Sequence, residues 1–223
     1  IISGIIEEIT PRNIIIDLGE TKAILSDKEQ IPGELYEIHN RIKLYVTEVK
    51  PHPKGVSIFV SRSNPNFIRC LFEQEVPEIN DGIVQIISIA REPGKRSKVA
   101  IVSHDPEIEA IGSCVGENGI RINTILSELN GEKIDLVNWY EESEKYIESA
   151  LSPAKISSIK ISEDKTSALV IVKSHNVSLA IGKGGQNVRL ASRLVGMHLD
   201  VKTPEQLEKL EENSEGDDIS ENV

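Results

Sequence analysis

The 223-residue sequence has few of the residues that several classes of protein require. Its two cysteines, Cys70 and Cys114, form neither a zinc-ligand pattern nor the disulfide framework of a secreted protein, so we predict no metal site and a reducing compartment. No apolar run is long enough to span a bilayer, and no signal-like segment opens the chain, so we expect a cytoplasmic protein with no membrane partner. The only methionine is Met197, and we therefore expect an N-terminal portion outside this sequence.

Charge is distributed unevenly along the chain. The net charge is −11, but residues 204–223 hold eight acids against one base. Residues 155–203 hold eight bases against three acids, which makes this segment +5. Because a ligand meets the local charge, the negative total does not argue against nucleic acid. We predict that residues 204–223 form an acidic tail, helical to about Glu212 and disordered beyond, and a second interpretation is that this tail competes with RNA for the basic segment.

Residues 1–63 have the pattern of an all-β domain. Turn residues divide them into candidate strands at 1–9, 13–18, 21–25, 41–49 and 55–61. Five strands in about sixty residues suggest a small closed barrel of the OB type, a fold that often binds single-stranded nucleic acid. Its aromatic residues are Tyr36, Tyr45 and Phe59, and we expect them in the core or on incidental surface rather than on a strong binding face.

Two GxxG tetrads, at residues 116–119 and 182–185, lie 66 residues apart within matching flanks. We predict helices at 65–75, from Asp105, and at 141–151, with strands at 82–90, 98–103, 133–137, 155–162, 167–174 and 198–202. The order helix, strand, strand, helix, GxxG, helix, strand then occurs twice, in residues 64–140 and 141–203. An internal repeat of this length indicates tandem domains.

The second tetrad has the features of a clamp for a nucleic-acid backbone. Its three glycines leave the peptide amides uncovered by any Cβ atom, and a helix from about Gln186 would direct its first N–H groups at a phosphate. Lys183, Arg189 and Arg193 add positive charge. The first tetrad instead carries Glu117, an acid that opposes phosphate contact, so we expect weaker binding there.

Further support for the first tetrad is expected from Arg121 and from a basic turn at residues 91–98. That turn could equally be a solvated hairpin tip. The residues predicted to contact RNA are Gly116, Glu117, Asn118, Gly119 and Arg121; Gly182, Lys183, Gly184, Gly185, Gln186, Asn187, Arg189 and Arg193; and Arg91, Lys95, Arg96 and Lys98.

Tandem GxxG domains of this order resemble KH domains, in which the loop holds about four nucleotides of a single strand. With the preceding barrel, they are similar to the NusA family of bacterial transcription elongation and termination factors. The motifs that carry the resemblance are Arg91-x-Pro-Gly-x-Arg96-x-Lys98, Cys114-Val-Gly-x-x-Gly-x-Arg121, and Ile181-Gly-Lys-Gly-Gly-Gln-Asn-Val-Arg-Leu-Ala-Ser192.

The resemblance implies a multi-domain chain: an all-β OB barrel at 1–63, α+β KH domains of the type II order at 64–140 and 141–203, and the acidic tail at 204–223. It also implies binding of nascent single-stranded RNA near RNA polymerase and other elongation factors, as a monomer that modulates pausing, termination and antitermination. In the family a further N-terminal domain contacts the polymerase, and we expect that domain to lie outside this sequence.

Other classes of function fit the sequence less well. Neither tetrad has the GxxxxGK[ST] pattern of a P-loop, and both join helix to helix, whereas a Rossmann loop joins strand to helix. Cys114 lies in an apolar helical run and is expected to be a buried structural thiol, so we predict no enzyme, no catalytic residue and no cofactor. With aromatics at 4%, we expect bases to rest in an aliphatic groove. The alternatives left open are a general RNA-binding or RNA-processing adaptor and a protein-interaction module.

Overall fold

The computed structural model describes residues 1–53 and 55–208, except for the side chain of His52. The chain forms two compact units, one of residues 1–136 and one from residue 137 onward. Of the tail predicted at 204–223, residues 204–208 are helical, and the part from residue 209 lies outside the described residues. Within the described part of the chain, no helix is long and apolar enough to cross a membrane.

The first unit begins with a closed barrel of five strands. These are β1 (Ile2–Ile9), β2 (Asn13–Asp17), β3 (Lys22–Ser26), β4 (Arg41–His52) and β5 (Gly55–Ser61), which pair in the order β1-β2-β3-β5-β4. Strands β3 and β5 are parallel, and the described neighbouring pairs are otherwise antiparallel. Alternate side chains such as Ile14, Ile16 and Leu44 point inward and fill the barrel. The predicted five-stranded β domain is confirmed.

The first repeat follows the barrel, and all but the last two residues of its final strand belong to this unit. It contains α1 (Pro65–Glu75), α2 (Pro77–Asn80), β6 (Val84–Glu92), β7 (Arg96–Ser103), α3 (Ala110–Val115), α4 (Ile120–Ser127) and β8 (Lys133–Asn138). The three strands form one sheet in the order β6-β7-β8. Asn64 caps α1 by accepting a hydrogen bond from the backbone N–H of Asn66, with Pro65 at the first helical position. Phe67 and Phe72 of α1 are fully buried in the core against this sheet.

The helix predicted from Asp105 begins later than expected. The Asp105 carboxylate accepts a hydrogen bond from the backbone N–H of Glu107, and its carbonyl accepts one from Ile108, which closes a turn. Glu109 then caps α3 by accepting from the backbone N–H groups of Ile111 and Gly112. An Asp-Pro pair can begin a turn as well as a helix, and here the local hydrogen bonds decide for the turn.

Arg62 joins the barrel to the first repeat inside this unit. Its guanidinium pairs with Glu34 and donates to the Lys43 carbonyl at 2.6 Å, both in the barrel. It also donates to the carbonyl of Glu128 in the first repeat at 2.8 Å. The side chain is 4% exposed and lies over the Phe67 ring. A single buried cation therefore bridges two segments that the sequence predicts as separate domains.

The second unit contains the second repeat. Its elements are α5 (Ser143–Ala150), β9 (Ile156–Ile161), β10 (Ser167–Val172), α6 (Val177–Ile181), α7 (Gln186–Val195) and β11 (His198–Lys202). The sheet has the order β11-β10-β9, with β10 parallel to β11 and antiparallel to β9. Trp139 lies edge-on to Tyr146 of α5, with ring centroids 6.5 Å apart. The predicted fold class, an all-β barrel followed by two α+β repeats, is confirmed.

Candidate nucleic-acid interface

The two GxxG loops have the same backbone conformation. Gly116 and Gly182 have φ/ψ of 73°/172° and 74°/171°. Two residues later, Asn118 and Gly184 lie in the left-handed region at 51°/24° and 60°/27°. Asparagine tolerates this region better than most residues that carry a Cβ atom, which explains how the first loop keeps the shape with one glycine fewer. The repeats therefore present equivalent backbones, and their side chains make the difference.

Helix α7 begins directly after the second loop. Its N-cap is Gly185, which has no side chain to satisfy the first N–H groups of the helix. Lys183 and Gly184 are exposed beside them. A helix N-terminus combines free donors with the positive end of the helix dipole, an arrangement that binds a phosphate.

Two cations lie near this helix end, and a third lies in the last turn of α7. Lys183 stands in the loop, while Arg189 and Arg193 lie one turn apart on the exposed face of α7. The Arg189 guanidinium donates to the carbonyl of Gly184 at 3.1 Å, which holds its charge against the loop. The arrangement suits a polyanion that passes the loop and continues along the helix.

The first loop carries no cation at the equivalent positions. Sixty-six residues before the three cations stand Glu117, Asn123 and Ser127, all of them exposed. The exposed Ile120 follows this loop where Gln186 follows the second. That the first loop binds phosphate more weakly stays a prediction. The lack of a cation at these three positions supports it.

Asn187 and Arg121 were predicted to contact RNA, but both side chains face the protein. Asn187 is 8% exposed, and its side-chain amide donates to three backbone carbonyls. The Arg121 guanidinium donates to the Ser113 carbonyl and to Glu78, at 2.7 Å and 2.8 Å. The Asn187 amide and the Arg121 Nη1 atom are engaged within the protein, so we leave both residues out of the contact set, although the Arg121 side chain is 30% exposed.

The basic turn at 91–98 is mostly a structural ion network. Arg91 is buried and pairs with Glu132, whose carboxylate also accepts from the Ser97 hydroxyl and the Gly94 backbone N–H. Arg91 is therefore a structural residue, and an RNA strand bound at the surface could not reach its side chain. Glu132 itself gave no sequence signal, because it follows the turn glycine Gly131 and nothing local marks it as buried.

The remaining bases of this turn divide between paired and exposed side chains. Arg96 donates to both carboxylate oxygens of Asp135 at 2.8 Å, and the fully buried Lys98 contacts the same group at 3.2 Å. Burial alone would raise the pKa of Asp135, but the hydrogen bond from Arg96 and the charge of Lys98 lower it. Burial lowers the pKa of Lys98 despite this partner. Lys98 is thus unavailable to RNA, Arg96 is engaged, and Lys95 alone among the predicted bases of the turn is exposed.

The aromatic residues of the barrel divide between its core and its surface. Tyr36 packs against the barrel core and Tyr45 against the core of the first repeat. Phe59 is half-buried, with the Lys50 ammonium 5.2 Å from its ring centre. Two of the three rings are therefore committed to packing.

Cys114 lies inside the first repeat and is fully buried. Burial raises the pKa of its thiol to about 12. Because the thiolate is the nucleophilic form, this side chain is inert at neutral pH.

Comparisons with known proteins agree on both repeats. Residues 62–139 match the family model of the NusA-like first KH domain, and residues 143–209 match that of the NusA-like second KH domain.

Similar full sequences were also found, each named transcription termination/antitermination protein NusA. The protein of Halalkalibacterium halodurans is 44% identical over 210 residues, which are 94% of this chain and 55% of the relative. That of Bacillus subtilis is 45% identical over 203 residues, 91% of this chain and 55% of the relative. That of Thermus thermophilus is 44% identical over 206 residues, 92% of this chain and 53% of the relative. The chain thus spans about half the length of these relatives.

Proposed function

Because the chain belongs to the NusA family, we propose that it binds single-stranded RNA and that the second GxxG loop makes the main phosphate contacts. One observation carries the proposal. The N-terminus of α7 has no side-chain cap and is flanked by Lys183 and Arg189, with Arg193 one turn beyond Arg189, whereas the first loop has the same backbone and no cation at the equivalent positions. Phosphate contacts set the position of a bound strand and most of its affinity.

The wider role follows from the relatives, which are named for transcription termination and antitermination. We propose that the RNA is a nascent transcript and that the protein, a cytoplasmic monomer, associates with RNA polymerase and other elongation factors to modulate pausing, termination and antitermination. The contact set proposed for the second repeat is the tetrad with Gln186, Arg189 and Arg193. For the first repeat it is the weaker tetrad, with Lys95 as an exposed base of the hairpin between β6 and β7.

The direct test measures affinity for single-stranded RNA and for duplex RNA at several salt concentrations. If α7 and the second loop neutralise three phosphates, the logarithm of the affinity should fall with the logarithm of salt with a slope of about −2. Replacing Lys183 and Gly184 with Asp should weaken binding strongly and flatten the slope. The control is Lys160→Asp, which reverses the charge of an exposed lysine on the edge strand β9, and it is matched to the single variant Lys183→Asp.

The outcomes separate the proposal from its rivals. Affinity that is unchanged in the folded double variant would refute the role of the second loop. Equal affinity for duplex RNA would refute single-strand recognition. No RNA binding by the wild-type chain at low salt would leave the protein-interaction module as the better reading.

A further inference from the structure

The start of α7 is tied to two other helix ends by one side chain. The Asn187 Nδ2 atom lies 3.1 Å from the Leu151 carbonyl at the end of α5. It lies 3.1 Å and 3.2 Å from the carbonyls of Leu179 and Ala180, in the last turn of α6. Since three acceptors surround this atom, it must be the NH₂ group and not the amide oxygen. The two N–H bonds are shared among three carbonyls that end their helices without an intrahelical partner.

The first glycine of the loop makes room for this side chain. A Cβ atom on Gly182 would lie 2.8 Å from the Asn187 Cβ atom and 2.8 Å from its backbone nitrogen. A real Cβ atom does not approach so closely, so one of the two must move. The glycine is thus required for packing against Asn187 as well as for its positive φ of 74°.

The first repeat has the same arrangement with different chemistry. Arg121 stands five residues after Gly116, as Asn187 stands five after Gly182, and a Cβ atom on Gly116 would lie 2.7 Å from the Arg121 Cγ atom. Arg121 donates to the carbonyl of Ser113, the position equivalent to Leu179. Its other partner is Glu78 of the short helix α2.

The geometry points to a positioning role in RNA binding: the side chain five residues after the first glycine fixes each GxxG loop, through a buried amide at Asn187 and through an ion pair at Arg121. This inference rests on the proposed function, because it concerns the same loops. Neither side chain touches the strand. Each holds the preceding helix end against the following helix, so that the loop amides are already in place when a phosphate arrives.

The role predicts a specific pattern in binding data. Loss of a positioning residue leaves the number of neutralised phosphates unchanged. The free energy needed to order the loop then reduces the free energy of binding. Affinity should fall while the slope of its salt dependence stays constant. Loss of a residue that contacts phosphate should lower both the affinity and the slope, because each lost contact reduces the slope by about 0.7.

The experiment compares three substitutions in the full chain by titration of a fluorescent single-stranded RNA. Asn187→Leu removes the donors, keeps a similar volume and adds no charge; we expect about tenfold weaker binding and an unchanged slope. Lys183→Gln should reduce both affinity and slope. Ser158→Ala, at an exposed position of β9, is the control and should change neither. The fluorescence of Trp139 beside Tyr146 reports whether the second unit stays folded.

A second measurement uses the wild-type chain alone and does not depend on a variant folding. The Asn187 side-chain N–H signals in an NMR spectrum should exchange with solvent far more slowly than those of the exposed Asn123. Fast exchange would overturn the inference, as would unchanged affinity or a slope reduced by about 0.7 in Asn187→Leu. If the wild-type chain bound no RNA, the proposed function itself would fall. Wild-type binding with an unaffected Asn187→Leu variant would overturn only the positioning role.

Discussion

A transfer of charge between the two loops tests their proposed equivalence most directly. The variant Glu117→Lys places a lysine in the first loop at the position that Lys183 holds in the second. Both positions are exposed, and the φ and ψ angles of the glycines that precede them differ by 1°. The new ammonium group should therefore face a strand as Lys183 does, and the chain should gain one phosphate contact.

The size of the effect follows from counterion release. One added contact should steepen the salt dependence by about 0.7, so that the advantage of the variant over wild type is about threefold greater at 50 mM than at 200 mM salt. Glu117→Gln separates the two parts of the change. It removes the repulsive acid and adds no contact, so affinity should rise while the slope stays at the wild-type value.

The assay is fluorescence anisotropy of a labelled single-stranded RNA long enough to reach both repeats. The reverse variant Lys183→Glu should lose one contact, and the double variant Glu117→Lys with Lys183→Glu should recover the wild-type slope. A slope in Glu117→Lys equal to that of wild type, in a protein that remains folded, would refute the reasoning. The first loop would then not meet a phosphate, whatever its backbone shape.

The remaining predictions concern the residues that support the loops. An added Cβ atom at Gly182 would lie 2.8 Å from atoms of α7, whereas one at Gly184 would meet nothing within 4 Å. Gly182→Ala should therefore lower the melting temperature and the RNA affinity more than Gly184→Ala. The Gly184 variant should cost only the backbone strain of its positive φ, about 1–2 kcal/mol. Burial would raise the pKa of Glu78, but a backbone N–H and Arg121 lower it. The support that Glu78 gives the first loop is therefore present above the ordinary glutamate pKa of about 4.3 and is lost as pH falls through the lowered value, which amide exchange in the first loop would detect. Glu132→Leu leaves a buried guanidinium unpaired and should destabilise the first unit by roughly 3–5 kcal/mol in urea unfolding.

Each of these has an outcome that contradicts it. If the two glycine variants lost equal amounts of stability and affinity, the close contact between the added Cβ atom at position 182 and α7 would have no energetic effect. Acid loosening of both loops together would show that the Glu78 ion pair is not its cause, since Asn187 carries no titrating group. If Glu132→Leu were as stable as wild type, the buried ion network would contribute no more to stability than a hydrophobic side chain at this position.

Much of the fold was readable because its signals are local. Asn64 followed by Pro65 marks the start of α1, which runs over the predicted residues. Alternating isoleucines mark strands of the barrel, and turn residues separate them. The tetrads at 116 and 182 revealed the repeat, because a GxxG loop between helices recurs with its flanks. The helix start predicted at Asp105 was wrong because an Asp-Pro pair is compatible with both a turn and a helix.

The candidate site was only partly readable, because sequence shows charge but not where the charge points. Lys183, Arg189 and Arg193 were recognised from type and position, and they are exposed. Arg91 and Lys98 have the same formal charge but are buried against Glu132 and Asp135. Their acidic partners lie 41 and 37 residues away along the chain, a distance that no local pattern spans.

By itself the sequence determined the order of the elements, the duplication and the unequal charge of the two loops, because each depends on residue type and spacing along the chain. The tertiary structure decided which cations remain for RNA and which hold the fold, since that depends on partners brought together from distant segments. It also decided the partners of Asn187 and Arg121. Both are polar and both adjoin a tetrad, but only the tertiary structure shows that Asn187 is buried against three carbonyls and that Arg121 donates to Ser113 and Glu78.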